Sequence, residues 1–281
     1  MQRAWWLARR VWRLLRSPFL PASLKSSAVR TQVLLSARRY LNTGDGTVQA
    51  RILDFEVTAH SRPVLASLFE EIFVNGDYFF VSKKADPFIV DCGSNIGMSI
   101  LFFKTLYPKA EIIGFEPEEA TYALLEKNIA SNRFKGVRLH QVALGMEEAT
   151  TSFFVDPEQP GTLLMSTIRS RLPKKEIMVR QMKLSTYINR KVDLLKLDVE
   201  GAEDAVLQDL VSTGTITRID QMLVEYHHHI DKNKDAFGSF LALLEKSGFG
   251  YQISTSYPKS ERASRDPIFQ DVQVYAYRKS L

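Results

Sequence analysis

Three groups of residues have types and spacings that can do chemistry. In the first, the apolar run Phe88-Ile89-Val90 ends in Asp91, and a turn of the form Gly93-x-Asn95-x-Gly97 follows at once. Glycines let a backbone turn sharply and approach a ligand, and the free amides of a helix start face that ligand. The second is Glu116, which closes the apolar run after Glu111 and stands 23 residues beyond Gly93. A second-strand acid at about that distance is placed to accept hydrogen bonds from both ribose hydroxyls. The third comprises Asp198, Glu200, Glu203, Glu225 and His227, proton-accepting groups that follow two further apolar runs. A nucleotide-type ligand held beside candidate bases is the chemistry these residues imply.

Such groups converge only if parallel strands deliver them to one edge. From residue 88 the pattern is regular: strand-like 88–91 and helix-like 96–106, then strand 111–115 and helix 118–131, then strand 137–142 and a hairpin-like stretch near 150–155. Strand 192–197, helix 202–212, strand 221–226, helix 235–247 and strands 249–254 and 271–278 complete it. Alternation of this kind predicts an α/β fold of the doubly wound, Rossmann-like type, with helices on both faces of a mostly parallel sheet. No helix separates the last two strands, so they are expected to pair antiparallel and close a seven-stranded sheet. Residues 47–57 alternate as one or two short strands, and residues 63–74 have helical spacing with Pro63 placed for a first turn. The expected divisions are a basic segment at 1–44, entry strands and a helix at 45–87, and the main domain at 88–281.

The net charge of +5 misleads, because residues 1–44 hold nine Lys/Arg and no Asp/Glu. The remaining 28 basic and 32 acidic residues leave the rest of the chain slightly acidic. A single cysteine, Cys92, excludes an intramolecular disulfide framework and makes a reduced, cytoplasmic setting the simplest expectation. Its place inside the turn reads as packing. The opening segment has no apolar run near the roughly 20 residues a membrane span requires. Wound as a helix, it gathers Trp5, Ala8, Trp12, Leu15 and Phe19 on one stripe while Arg9, Arg13 and Arg16 lie largely elsewhere. That pattern suits a helix lying in a lipid interface, so peripheral contact with the inner membrane surface through residues 1–20 is expected. Packing of the tryptophans on the protein's own core and a basic nucleic-acid arm are the alternatives.

Three motifs together carry a family resemblance: Val90 to Gly97, then Phe115-Glu116-Pro117, then Asp193-Leu194-Leu195-Lys196-Leu197-Asp198-Val199-Glu200-Gly201-Ala202-Glu203. In order and spacing the chain resembles the FkbM family of S-adenosylmethionine-dependent methyltransferases over about residues 60–278. The family pattern has an Asp-Asp pair ahead of the third motif. This chain has Leu184-Ser185-Thr186-Tyr187 there, so no role for an acid transfers. The resemblance implies a class I methyltransferase sheet with a terminal hairpin, S-adenosyl-L-methionine as cofactor, and O-methylation of a hydroxyl on a glycan, glycolipid or related metabolite. Under it, Gly93, Ser94, Asn95 and Gly97 shape the loop around the methionine moiety and Asp91 sits near its ammonium. Glu116 takes the ribose diol, and Ala143 and Leu144 border the adenine.

Methyl transfer from a sulfonium is an in-line displacement, and a base that removes the acceptor's proton typically contributes about 100- to 10,000-fold. His227 is the first candidate, because a neutral imidazole needs little tuning to accept a proton near neutral pH. Asp198, Glu200 and Glu225 are the others. Glu203, opening a helix, reads as an acid at the positive helix end. Asp198, Glu200, Glu225 and His227 would suffice for a divalent cation, although spacing alone does not establish one and a metal-free site is the expectation. A planar-base-holding Asn/Asp-Pro-Pro-aromatic loop is missing after the fourth strand, which disfavours nucleic acid as substrate. A nicotinamide-dependent oxidoreductase is disfavoured by the lack of G-x-G-x-x-G. An inactive scaffold is disfavoured by Glu116 and the intact third motif.

Overall fold

The computed structural model describes residues 2–38, 47–158, 161, 165–169, 171, 174–231, 235–255 and 269–279. Five short apolar runs become the parallel heart of one sheet: β3 (Phe88–Cys92), β4 (Glu111–Phe115), β5 (Val137–His140), β9 (Leu194–Leu197) and β10 (Gln221–His228). Between them run α4 (Met98–Leu106), α5 (Glu119–Ser131) and α6 (Glu203–Ser212), and α7 (Phe237–Lys246) follows β10. β3 and β9 are buried along their whole length, as strands covered on both faces must be. The chain then adds β11 (Phe249–Thr255) and β12 (Gln270–Arg278). β12 pairs antiparallel with both β10 and β11, giving a seven-stranded sheet in the order β11-β12-β10-β9-β3-β4-β5. The expected closing hairpin is present, with its last strand inserted between β10 and β11.

Ahead of the sheet lie α1 (Gln2–Arg16), α2 (Ala22–Arg38), the hairpin β1 (Val48–Ile52) and β2 (Phe55–Ala59), and α3 (Arg62–Phe69). The Ser61 hydroxyl caps α3 and Pro63 occupies its first turn. The expected single helix over 63–74 divides: α3 gives way at Glu70 to one wide π-helical turn, Glu70–Asn75, closed by left-handed Gly76. Leu14, Ala28 and Leu35 from the first two helices, with Leu20 from the link between them, enter the same apolar cluster as Phe73, Ile100 and Phe102. Trp5 and Trp12 remain exposed, so core packing does not account for them. Phe19 leaves the predicted stripe, because α1 ends at Arg16 and the ring turns in against Phe79 and Phe102.

A second departure lies between β5 and β9. The stretch read as one hairpin is a three-stranded sheet of β6 (Ala143–Gly145), β7 (Ala149–Val155) and β8 (Lys175–Lys183), in the order β6-β8-β7. β8 carries Ile177-Met178-Val179 as an unbroken apolar triplet between Lys175-Glu176 and Arg180, and that triplet hid its two-residue period. Most of the segment 255–270 lies outside the described residues.

Candidate active site

The turn after β3 is held by backbone close to the neighbouring strand end. Gly93 has φ +84°, and a Cβ there would run into the carbonyl oxygen of Asp198. Asn95 is also left-handed, at φ 47°, which asparagine tolerates better than most residues. Its amide donates to Glu116 Oε2 at 3.0 Å, and the Glu118 amide donates to Oε1 at 3.1 Å. The acid closing β4 thus clamps the glycine turn. Burial pushes its carboxyl up to about 8, against those amide hydrogen bonds, which favour the ionised form. Together with Ala143 and Leu144, Gly93, Ser94, Asn95 and Glu116 line a cavity of about 260 Å³.

Two sequence assignments change here. Asp91 is fully buried and does not reach the cavity: the Ser99 hydroxyl donates to it at 2.6 Å and Lys196 Nζ lies 3.5 Å away. The strand runs one residue further than expected, to Cys92, and the acid faces α4 instead of the opening. Gly97 likewise lines nothing. With φ 92° it starts α4 where a Cβ would press on Leu125 at 2.9 Å, so its role is steric. Cys92 is buried, as its packing role requires, and burial raises its thiol pKa well above the usual range.

The same cavity is also lined by acids. Asp198, Glu200 and Glu225 all line it, joined by Glu71 from the π-helical turn and Asp271 from β12. Lys196, almost wholly buried, organises the centre: its ammonium donates to Gly93 O at 2.8 Å and to Asp198 Oδ2 at 3.1 Å. Burial opposes that charge, yet Asp198 and Asp91 hold its pKa above the ordinary lysine value. Tyr78 Oη stands 3.0 Å from Asp198 Oδ2 and 3.2 Å from Glu71 Oε1. Burial and the charges of Asp198 and Asp77 raise Glu71 to about 7, whereas Lys196 and His227 outweigh burial and keep Asp198 low. A protonated Glu71 can donate to Tyr78 while Tyr78 donates to ionised Asp198, which satisfies all three groups.

His227 lies at the end of β10 and is 3 % exposed, so the strand continues through a position expected near its end. Nδ1 is 2.9 Å from Glu203 Oε1 and Nε2 is 3.0 Å from Glu200 Oε2. Burial disfavours the imidazolium, but Glu203 and Glu200 more than offset it and raise the pKa well above the usual histidine value. A neutral imidazole free to take a proton is therefore not what this geometry holds. Glu203 also departs from its expected role: besides opening α6, it accepts from the Gly201 amide at 3.0 Å and fixes the ring of His227. Glu200, itself at φ 53°, receives Arg171 at 3.3 Å. Ligand atoms of Asp198, Glu200 and His227 lie within 4.8 Å of one another, as do those of Glu225, His227 and Asp271. Both ring nitrogens of His227 are already engaged by carboxylates.

Sequence reasoning missed Lys196, Glu71, Tyr78, Arg171 and Asp271. Lys196 alone carried a signal, a cation inside the buried run Leu194-Leu195-Lys196-Leu197 with an acid at each end. Glu71 and Tyr78 precede the regular pattern, and only the widened turn brings them to the sheet edge.

The chain matches the family described as Methyltransferase FkbM domain over residues 91–252. It is 33% identical over 223 residues to Methyltransferase 1 of Beauveria bassiana, a match spanning 71% of this chain and 88% of that protein. It is 28% identical over 241 residues to the 31-O-demethyl-FK506 methyltransferase FkbM of Streptomyces tacrolimicus, spanning 74% of this chain and 86% of the relative. With the 2-O-methyltransferase NoeI of Sinorhizobium fredii it shares 28% identity over 155 residues, or 48% of this chain and 62% of that one. The matched span takes in the glycine turn, Glu116, the Lys196–Asp198 strand end and His227, and the chain belongs to the FkbM family of methyltransferases.

Proposed function

We propose that this methyltransferase transfers the methyl group of S-adenosyl-L-methionine to a hydroxyl of a glycan, glycolipid or related small polyhydroxylated metabolite. The observation that carries the reading is one cavity lined both by a glycine turn clamped by Glu116 and by carboxylates grouped around Asp198. The glycine-turn side suits a nucleoside, since Ser94, Asn95 and Glu116 line the cavity there. The bound cofactor supplies an electrophilic methyl on a sulfonium. Transfer forms a bond from the acceptor oxygen to the methyl carbon, breaks the carbon–sulfur bond, and releases the hydroxyl proton to a carboxylate of the protein.

Asp198 is the carboxylate placed to receive that proton, because it is held ionised beside the cofactor turn. Glu200 and Glu225 would accept hydrogen bonds from neighbouring hydroxyls, and His227, fixed by Glu203, positions Glu200. The names of two relatives, a 31-O-demethyl-FK506 methyltransferase and a 2-O-methyltransferase, support oxygen as the acceptor atom. Transfer of labelled methyl to fractionated glycolipid, soluble saccharide and RNA tests the reading. Label in a saccharide or glycolipid fraction is expected, and label confined to RNA would overturn it. With an accepted substrate in hand, Asp198→Asn should lower kcat by about 100- to 10,000-fold with little change in cofactor affinity.

A further inference from the structure

The first helix presents an outward surface that the transfer chemistry does not use. α1 is 15 residues long, roughly 22 Å, and its inner face is anchored: Leu14 is buried, Arg10 pairs with Glu70, and Arg13 donates to Asn75 at 3.1 Å. Both contacts are to the π-helical turn that carries Glu71. The outer face bears Trp5 (67 % exposed), Trp12 (56 %) and Leu15 (53 %). Arg9 lies over the Trp5 ring at 5.7 Å and Arg16 over Trp12 at 5.0 Å, so exposed indoles and guanidinium groups share one surface. Val33 and Leu34 on α2 are further exposed apolar side chains in this N-terminal part of the molecule. No acid occurs anywhere in residues 1–44.

We propose that the outer face of α1 docks flat on an anionic lipid bilayer, with Trp5, Trp12 and Leu15 in the headgroup boundary and the flanking arginines on lipid phosphates. Charge selects this occupant. A segment that carries arginines and no acid attracts an anionic leaflet, and indole rings favour the zone where an apolar body meets a wet rim. Among the described residues no helix is long and apolar enough to cross a membrane, which is consistent with a helix lying along the surface. The anchoring contacts to the π-helical turn hold this surface fixed relative to the cavity, so docking would set the orientation of the cavity toward the lipid.

The sequence supplies its own probe, because all three tryptophans, Trp5, Trp6 and Trp12, lie in α1. Titrating the full chain with phosphatidylglycerol vesicles should shift tryptophan emission to the blue and carry the protein into the vesicle pellet. Phosphatidylcholine vesicles should do neither, and raised salt should reverse the effect. The pair Trp5→Ser and Trp12→Ser should lower the pelleted fraction by about tenfold or more. Both sites are exposed, so the thermal midpoint of that variant should not move, and methyl transfer to a soluble acceptor should persist. Three results would each overturn the proposal: no response to phosphatidylglycerol, unchanged pelleting of the double variant, or a lipid-independent dimer that the two substitutions dissolve. An emission shift with RNA but not with lipid would do the same.

Discussion

Glu116 and His227 are the two side chains whose protonation the fold displaces in ways that binding and catalysis will report. Burial lifts Glu116 to about 8, so in the ligand-free protein it carries a proton at neutral pH. A carboxylate that accepts from two ribose hydroxyls must be ionised, and nucleoside binding should therefore release a proton. Affinity for S-adenosylhomocysteine is expected to rise by roughly tenfold per pH unit below 8 and to level off above it. Calorimetry in buffers of different ionisation enthalpy checks this directly. Glu116→Gln should weaken binding and flatten the dependence. The pKa of His227 is raised as well, but here that favours the charged form, since Glu203 and Glu200 hold the imidazolium despite burial. Glu203→Gln should bring its titration down toward the ordinary histidine range, visible in the chemical shift of its ring protons. An unchanged titration would mean that Glu203 does not hold the imidazolium.

The glycine turn, the third-motif strand and the π-helical turn meet at Lys196. Its ammonium ties Gly93 O to Asp198 and faces buried Asp91, so a neutral replacement leaves acids without their cation. Lys196→Met should cost about 3–5 kcal/mol, read as a fall in the denaturant midpoint, and should reduce transfer even where the chain still folds. How far these elements were legible follows from the same residues. Phe88-Ile89-Val90 and Leu194-Leu195 are apolar on both faces, and Gly93 and Glu116 sit at the strand ends, so the parallel sheet and the nucleoside end could be read in order. The direction of Asp91 could not, because whether an acid faces a cavity or a neighbouring helix depends on one residue of strand length. β8 was hidden by the apolar triplet Ile177-Met178-Val179, which masks its alternation, and Glu71 by a turn whose widened geometry leaves no mark in spacing. Glu203 was assigned to its helix end by position alone; its bond to His227 crosses to another strand and has no local signature.

Across the whole molecule, the two halves of the cavity come from distant parts of the chain. β3 and β9 pair side by side with Asp91 opposite Lys196, and the Lys196 ammonium bonds the carbonyl of Gly93 across that gap in sequence. Contacts so far apart are slow to form and tend to be made late, after local helices and hairpins. A ligand that spans this seam is expected to act mainly on the unfolding step. S-adenosylhomocysteine at saturation is thus expected to slow unfolding while leaving refolding nearly as fast as without it, a split that stopped-flow chevrons resolve. The stitched seam acts as a clasp fastened last, and occupancy by the nucleoside then governs how long each molecule stays shut.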